Sequence, residues 1–272
     1  MLQIMSLVSI FISIFLVYKI VQSDLPQLVR QLLSAAITFA VYLLVFNWKA
    51  ALIICVGISF HEYCHILAAR KVGIPTKGFY LIPFVGGIAF MEKVPSSRKD
   101  QALISLMGPL GGGVFSILIA AVYLYTGIPV IGQAAIWMIY INLFNLLPLS
   151  ILDGGQLLNT ITYSINRSFG LACAILSTII AIIILWSFNP AISVLVFVYG
   201  GFPLIQEISD WNAARSGNIF LISEKYFDVP LKLSRFQMFL TFISWLATAA
   251  MLYSSKCYLE KNFNLNPFDL FK

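Results

Sequence analysis

The sequence contains few charged residues and almost no histidine. Only 10% of its 272 residues are Asp, Glu, Lys or Arg, 60% are hydrophobic, and two are His. Soluble domains carry about 25% charged residues, so this composition argues against a soluble protein and predicts an integral membrane protein. We therefore expect the net charge of +6 to reflect the positions of loops at a membrane, with no nucleic-acid partner.

The sequence also lacks the signals of a secreted, disulfide-bonded protein. Its four cysteines lie mostly in apolar runs and show no paired spacing, so no disulfide framework is predicted. Residues 1–18 are apolar, but they have neither a basic leading region nor a small-residue cleavage site. We expect this segment to be a retained first span and not a cleaved signal peptide.

Long apolar runs dominate the rest of the chain, and a run of about 17–25 residues can cross a bilayer as a helix. The runs predict an all-α polytopic membrane protein with about six to eight transmembrane helices. They fall at residues 2–18, 31–47, 52–69, 102–126, 131–149, 169–188, 191–206 and 236–254.

The basic residues give these helices a direction across the membrane. If the run at 52–69 enters from outside, the outer segments hold only four of the 17 Lys and Arg residues: Lys49, Lys256, Lys261 and Lys272. The opposite topology would break the rule that basic residues collect on the cytoplasmic side. The inner end of this run is therefore predicted to lie at the cytoplasmic face of a multi-pass protein of the cell membrane.

Both histidines lie in this run, in the sequence His61-Glu62-Tyr63-Cys64-His65. Residues i and i+4 share a face of a helix, so the two imidazoles can converge on one ion while Glu62 borders that face. This spacing is typical of two zinc ligands and a carboxylate that accepts a proton from water. A buried, satisfied pair of histidines is the alternative, and geometry alone does not exclude Cys64 as a ligand.

The position of these polar groups favours the metal site. Ionisable side chains are costly in lipid and normally face a protein interior or a wet cavity. At a rise of about 1.5 Å per residue, His61 and His65 would lie about 14 and 8 Å from the cytoplasmic boundary. We expect a site inside the membrane, near its cytoplasmic face.

A catalytic zinc site usually has three protein ligands, so two histidines leave one position open. Of the 11 acidic residues, three lie within apolar runs or at their ends: Glu62, Asp153 and Glu207. Asp153 closes the fifth run, which also points inward. Pro148 and the Gly154–Gly155 pair predict broken helix around it, and such backbone is tolerated at membrane depth only where it is buried or lines a cavity.

Residues 78–91 are apolar but too short to cross a membrane. Pro83 and the Gly86–Gly87 pair interrupt helical periodicity, and the aromatic and branched residues around them favour strands. We expect a short membrane-associated β-hairpin, with a plain interfacial loop as the alternative. The next run contains Gly108-Pro109, and its small residues are expected to permit close helix packing.

Several motifs follow one another in the order found in a known family. They are His61-Glu62-Tyr63-Cys64-His65, Gly86-Gly87, Gly108-Pro109, Leu152-Asp153-Gly154, and an Asn-x-x-Pro lead-in formed by Asn145 and Pro148. In these motifs the chain resembles the site-2 protease family of intramembrane zinc metalloproteases. The resemblance covers residues 50–160, and the flanking spans carry none of it.

The resemblance implies a zinc metalloendopeptidase that hydrolyses peptide bonds in or near transmembrane segments of other membrane proteins, as in regulated intramembrane proteolysis. It implies one Zn²⁺ per chain, with His61, His65 and Asp153 as ligands. Glu62 would be the general base, which takes a proton from water and later delivers it to the leaving amine.

The same resemblance assigns groups to the substrate. Asn145 would take part in catalysis by contacting substrate or intermediate, and the hairpin at Gly86 and Gly87 would hold an unwound substrate as an added strand. The implied partners are a membrane-protein substrate with a cleavable transmembrane segment and the lipid bilayer. Residues 127–130 are too few for an inserted PDZ-like domain, so the compact branch of the family is expected.

Three regions are expected: N-terminal transmembrane segments at 1–49, a metalloprotease core at 50–160, and C-terminal transmembrane segments at 161–272, with a cytoplasmic loop at 207–235 and a short tail.

Rival functions stay open. A zinc-binding transporter or sensor explains the ligands but not a glutamate placed as a base. A membrane metalloprotease of the prenyl-protein-processing type would take Glu207 as its third ligand. An inactive scaffold is disfavoured by the intact motif residues.

Overall fold

A computed structural model of the chain describes residues 2–84, 86–188, 201, 204–205, 208–209, 231–263 and 265–271. Its main elements are, in chain order, α1 (Leu2–Val21), α2 (Gln27–Val45), α3 (Trp48–Lys71), β1 (Thr76–Ile82), β2 (Gly86–Met91), α4 (Arg98–Thr126), α5 (Pro129–Asn145), α6 (Asp153–Ile165), α7 (Arg167–Phe188), α8 (Arg235–Phe263) and a 3₁₀ turn (Pro267–Phe271). The expected helical fold with one small hairpin is confirmed.

Within the described ranges, five helices are long and apolar enough to cross a membrane. They are α2, α3, α4, residues Arg167–Ile184 of α7, and α8. The chain is therefore an integral membrane protein, with a span count roughly as expected. Most of the predicted run at 191–206, and Glu207 with it, lies outside the described residues.

The helix α3 is the most enclosed of these five spans. Protein buries 61% of its most apolar window, against 11–44% for the other four. A helix surrounded by protein can carry polar side chains that would be costly against lipid. This burial explains how α3 can hold the His-Glu-x-x-His motif at membrane depth.

Both ends of α3 are set by local sequence. At its start the Asn47 side chain accepts a hydrogen bond from a backbone N–H of the first turn. At its end Gly73 has φ +79°, and the N–H of Ile74 reaches back to the carbonyl of Ala69 at 2.9 Å. This left-handed glycine cap, followed by Pro75, stops the helix and turns the chain into β1.

The strands β1 and β2 form an antiparallel pair, in which Tyr80 faces Ile88 and Ile82 faces Gly86. Gly86 has φ +115°, a conformation that other residues adopt only with strain, so this glycine permits the turn. Buried Leu81 joins a core cluster with Tyr42 of α2 and with residues of α3. The hairpin is therefore packed onto the helix that carries the histidines.

The chain divides into two compact units. The first comprises Met1–Val94, Met107–Phe144 and Ala247–Lys272, and the second comprises Pro95–Leu106 and Asn145–Leu246. In the second unit, one cluster packs Leu149 and Leu152 against Ala181 of α7, and another joins Tyr163 of α6 to Leu171 of α7. These contacts attach the start and the end of α6 to α7.

The sequence did not predict α6 as a separate helix. The apolar run at 131–149 suggested one span, but α5 ends at Asn145 and α6 begins at Asp153. The residues between them form turns, in agreement with the break in the helix that is expected at Pro148. Since α6 is rich in polar residues, a search for apolar runs does not find it.

Candidate metal centre

The two histidines lie side by side in the interior of the protein. His61 is 3% exposed and His65 is 7% exposed. Their Nε2 atoms are 3.1 Å apart, and the rings meet nearly edge to face at 79°. The i, i+4 spacing on α3 thus directs both Nε2 atoms to one point, as the sequence predicts.

The helix α4 approaches this pair at a glycine. A Cβ atom on Gly108 would overlap the imidazole of His65 and come within 2.9 Å of Nε2 of His61. One turn further, a side chain on Gly111 would collide with Cys64 Sγ. The small residues of α4 therefore permit the close packing that the sequence predicts, and Cys64 contacts this helix.

Asn142 of α5 contacts the first histidine. It is 1% exposed, and its Oδ1 atom lies 2.9 Å from Nδ1 of His61. Its Nδ2 atom donates to the carbonyl of Met138 at 2.7 Å. A side chain at Gly112 would overlap the amide group, so this glycine makes room for it.

Sequence reasoning missed Asn142 because it searched the apolar runs for metal ligands among ionisable residues and took its one amide, Asn145, from the family resemblance. A signal was present, because the residue lies between Ile141 and Leu143 in a helix with few polar side chains. A buried amide in a membrane span needs hydrogen-bond partners and therefore indicates a polar interior nearby.

The carboxylate of Glu62 lies at the hairpin. Its side chain is buried, with 7% of its surface exposed. A Cβ atom on Gly87 of β2 would come within 2.7 Å of Glu62 Oε1 and would overlap the adjoining carbons. Only a glycine therefore fits where β2 passes over this carboxylate.

Asp153 is the first residue of α6 and is partly buried. The preceding turn folds tightly against this end of the helix. A Cβ on Gly154 or Gly155 would strike the carbonyl groups of Leu146 or Leu149. The Gly-Gly pair after Asp153 is therefore required by backbone packing, which holds the aspartate in place.

The structure brings together three of the predicted site residues. Potential ligand atoms of His61, His65 and Asp153 all lie within 4.8 Å of one another. Two imidazole nitrogens and a carboxylate oxygen form a donor set that zinc prefers. Tetrahedral bonds of about 2.0–2.2 Å place ligand atoms about 3.3 Å apart, close to the 3.1 Å between the histidines. These residues fit Zn²⁺.

The other predicted site residues are Asn145 and Gly86, which were expected to contact substrate, and the alternative ligand Glu207. Asn145 is the last residue of α5, and Gly86 forms the turn of the hairpin. Their roles toward substrate stay predictions. Glu207, the alternative ligand, lies outside the described residues.

The sequence around this centre matches a known family. Residues 49–135 match the sequence profile described as peptidase family M50. Peptidase family M50 is the site-2 protease family, and the matched stretch comprises 87 of the 272 residues, about a third of the chain. The match includes His61, Glu62, His65 and the hairpin, and it ends before Asp153. The resemblance drawn from the motifs is thereby confirmed.

Two curated proteins are similar to part of the chain. A zinc metalloprotease of Methanocaldococcus jannaschii is 27% identical over 124 residues, which is 44% of this chain and 35% of the relative. A candidate zinc metalloprotease of Synechocystis sp. is 34% identical over 131 residues, or 46% of this chain and 34% of the relative. The similarity thus spans about a third of the length of each relative. Together with the three-residue cluster, these names support Zn²⁺ as the metal.

Proposed function

We propose that this chain is a zinc metalloendopeptidase that hydrolyses peptide bonds in or near transmembrane segments of other membrane proteins. One observation carries the proposal. A buried carboxylate, Glu62, follows directly after the first of three grouped side chains that could hold a metal ion, His61, His65 and Asp153. Family M50 and the zinc metalloprotease names of the two relatives support the same reaction class.

Each residue of the centre has a distinct role in this proposal. His61, His65 and Asp153 would hold the ion. Bound Zn²⁺ supplies a Lewis acid that polarises a peptide carbonyl and makes water more acidic. Glu62 accepts the proton of the attacking water on its carboxylate and then donates it to the nitrogen of the leaving amine. The buried position of Glu62 keeps bulk water away from that proton.

The hairpin supplies a means of holding the substrate. A transmembrane helix must unwind before its carbonyl groups can be attacked, and the exposed peptide then needs hydrogen-bond partners. Among the described residues, β2 pairs with β1 alone, so one of its edges is not taken up by a strand. An unwound substrate could add to that edge, next to Glu62.

A change at Gly87 tests the contact between hairpin and carboxylate. We expect Gly87→Ala to lower cleavage and to leave bound zinc at wild-type stoichiometry, because the new methyl group displaces Glu62 and not the ligands. Zinc content and turnover are measured on the same purified sample. Gly73→Ala is the control for the replacement of a glycine as such: nothing lies within 4 Å of the added atom, and its φ of +79° makes it the more strained backbone change of the two. Equal turnover in Gly87→Ala and wild type would refute this contact.

The reaction itself is tested with purified full-length protein and a membrane-protein substrate whose transmembrane helix is destabilised by glycine and proline. We expect a cut within or beside the transmembrane segment, located by mass spectrometry. Removal of zinc with a chelator should stop cleavage, and added Zn²⁺ should restore it. A zinc transporter or sensor predicts no cut under any of these conditions, so an intact substrate favours that alternative.

The position of the centre is a further part of the proposal. The basic residues support a site near the cytoplasmic face of the cell membrane, because Arg70 and Lys71 end the helix that holds the histidines. Substrates would therefore be cut near their cytoplasmic ends. The same mass-spectrometric mapping of the cut, with a substrate of known orientation, checks this placement.

A further inference from the structure

We infer that Asn142 is a positioning residue for the metal centre, which fixes the tautomer and the orientation of the His61 ring. This inference rests on the metal site of the proposed function. It concerns a residue that lies beyond the stretch matched by the family profile, which ends at residue 135.

The first step is the orientation of the amide group of Asn142. Its Nδ2 atom lies 2.7 Å from the backbone carbonyl of Met138, and a carbonyl oxygen only accepts hydrogen bonds. The opposite orientation would place two oxygen atoms against each other. The amide oxygen is therefore the atom that faces His61, at 2.9 Å from its Nδ1.

The second step follows from the first. An amide oxygen also only accepts, so Nδ1 of His61 must carry the hydrogen and donate it to Asn142. In a neutral imidazole the other nitrogen, Nε2, then holds a lone pair. This is the nitrogen that lies 3.1 Å from Nε2 of His65, at the point where the two rings converge. Asn142 thus presents His61 in the form that can bind a metal.

The packing around Asn142 restricts its side chain to this orientation. The residue is 1% exposed, and the absence of a side chain at Gly112 leaves the space that its amide group occupies. A hydrogen bond from a ligand histidine to a neighbouring oxygen also increases the basicity of the ligand nitrogen. Loss of such a partner typically weakens metal binding by about 10–100-fold.

Zinc affinity gives the first test, measured by competition with a chromophoric chelator on the detergent-solubilised full-length chain. Asn142→Leu, which keeps the size but removes the acceptor, should bind zinc about 10–100-fold more weakly. Asn142→Asp keeps an acceptor beside His61 but loses the donor to the Met138 carbonyl, so it should bind zinc more tightly than Asn142→Leu without reaching the wild-type affinity. Ser116→Ala is the control, because it removes another buried hydrogen bond of this region, from Ser116 to the Gly112 carbonyl, without touching a histidine.

Nuclear magnetic resonance gives a second test that needs no variant at Asn142. The chain has only two histidines, so ¹⁵N-histidine labelling reports on His61 and His65 alone. In the metal-free protein at alkaline pH, we expect the neutral His61 ring to carry its hydrogen on Nδ1. A His65→Gln variant assigns the signals. His61 protonated at Nε2 would overturn the inference, even if Asn142→Leu did not fold.

The two proposals fail in different ways. If the wild-type chain binds no zinc, the proposed function is wrong. If the wild type binds zinc and Asn142→Leu binds it equally tightly, the proposed function stands and the role of Asn142 is refuted. Loss of affinity in Asn142→Leu, together with a wild-type His61 that is protonated at Nε2, would also refute that role, because the loss would then come from a packing defect.

Discussion

A Glu62→Gln variant is expected to keep its zinc and to lose its turnover. Gln has the size and much of the hydrogen-bonding capacity of Glu, but it cannot accept a proton from water. General-base groups contribute about 10²–10⁴-fold to the rate, so turnover should fall by at least about 10²-fold. Because Glu62 is separate from the three grouped ligand residues, bound zinc should stay at wild-type stoichiometry. Zinc content by elemental analysis and cleavage of a membrane substrate measure the two effects.

Glu92→Gln is the matched control for this variant. Glu92 is exposed and lies just after β2, so the same chemical change there should leave both zinc and turnover unchanged. The zinc-loaded Glu62→Gln protein should still bind its substrate and can therefore be used to trap it. Full turnover in that protein would contradict the proposed mechanism. A transporter or an inactive scaffold does not predict the separation of zinc binding from cleavage.

The sequence predicts the centre of this protein well because the decisive signals are local. Helical periodicity alone aligns His61 with His65 and leaves Glu62 beside them. The hairpin is likewise predicted from Pro83 and the glycine pair. Asp153 is different, because the scarcity of acidic residues in apolar runs also leaves Glu207 as a candidate, and the family resemblance is what selects Asp153.

Contacts between distant parts of the chain could not be predicted in the same way. Asn142 lies 81 residues from His61, and no pattern in either segment names the other as its partner. The glycines show the same limit. The sequence indicates close helix packing at Gly108 and a turn at Gly86–Gly87. Only the structure shows that the imidazoles fill the space at Gly108 and that the Glu62 carboxylate fills the space at Gly87. The identity of a neighbour depends on the tertiary fold, which periodicity does not encode.

The two hairpin glycines, Gly86 and Gly87, are required for different physical reasons. Gly86 has a positive φ, and nothing lies within 4 Å of a Cβ placed on it, so its requirement comes from the turn. Gly87 is required because Glu62 leaves no space for a side chain. The sequence shows a glycine pair in both cases, and therefore it predicts the turn but not the contact with the carboxylate.

Replacement of the three proposed zinc ligands is expected to have the second large effect, a loss of zinc binding and cleavage. Alanine at His61, His65 or Asp153 removes one of three donors, and each variant should lose zinc and cleavage together. The loss of affinity should exceed the about 10–100-fold typical of a missing hydrogen-bonded neighbour, because a direct bond to the ion is removed. Zinc content and chelator competition on purified protein measure it, with size-exclusion chromatography to show that each variant is folded.

Asp153 and Glu207 provide the decisive comparison within this set. Both are acidic residues at the ends of apolar runs, and each would be the third ligand in a different class of membrane metalloprotease. The grouping of Asp153 with the two histidines within 4.8 Å supports the first class. Glu207→Ala should therefore retain zinc and turnover, whereas Asp153→Ala should lose both. The reverse result, with Asp153→Ala metallated and Glu207→Ala empty, would refute the ligand set and favour the prenyl-protein-processing type.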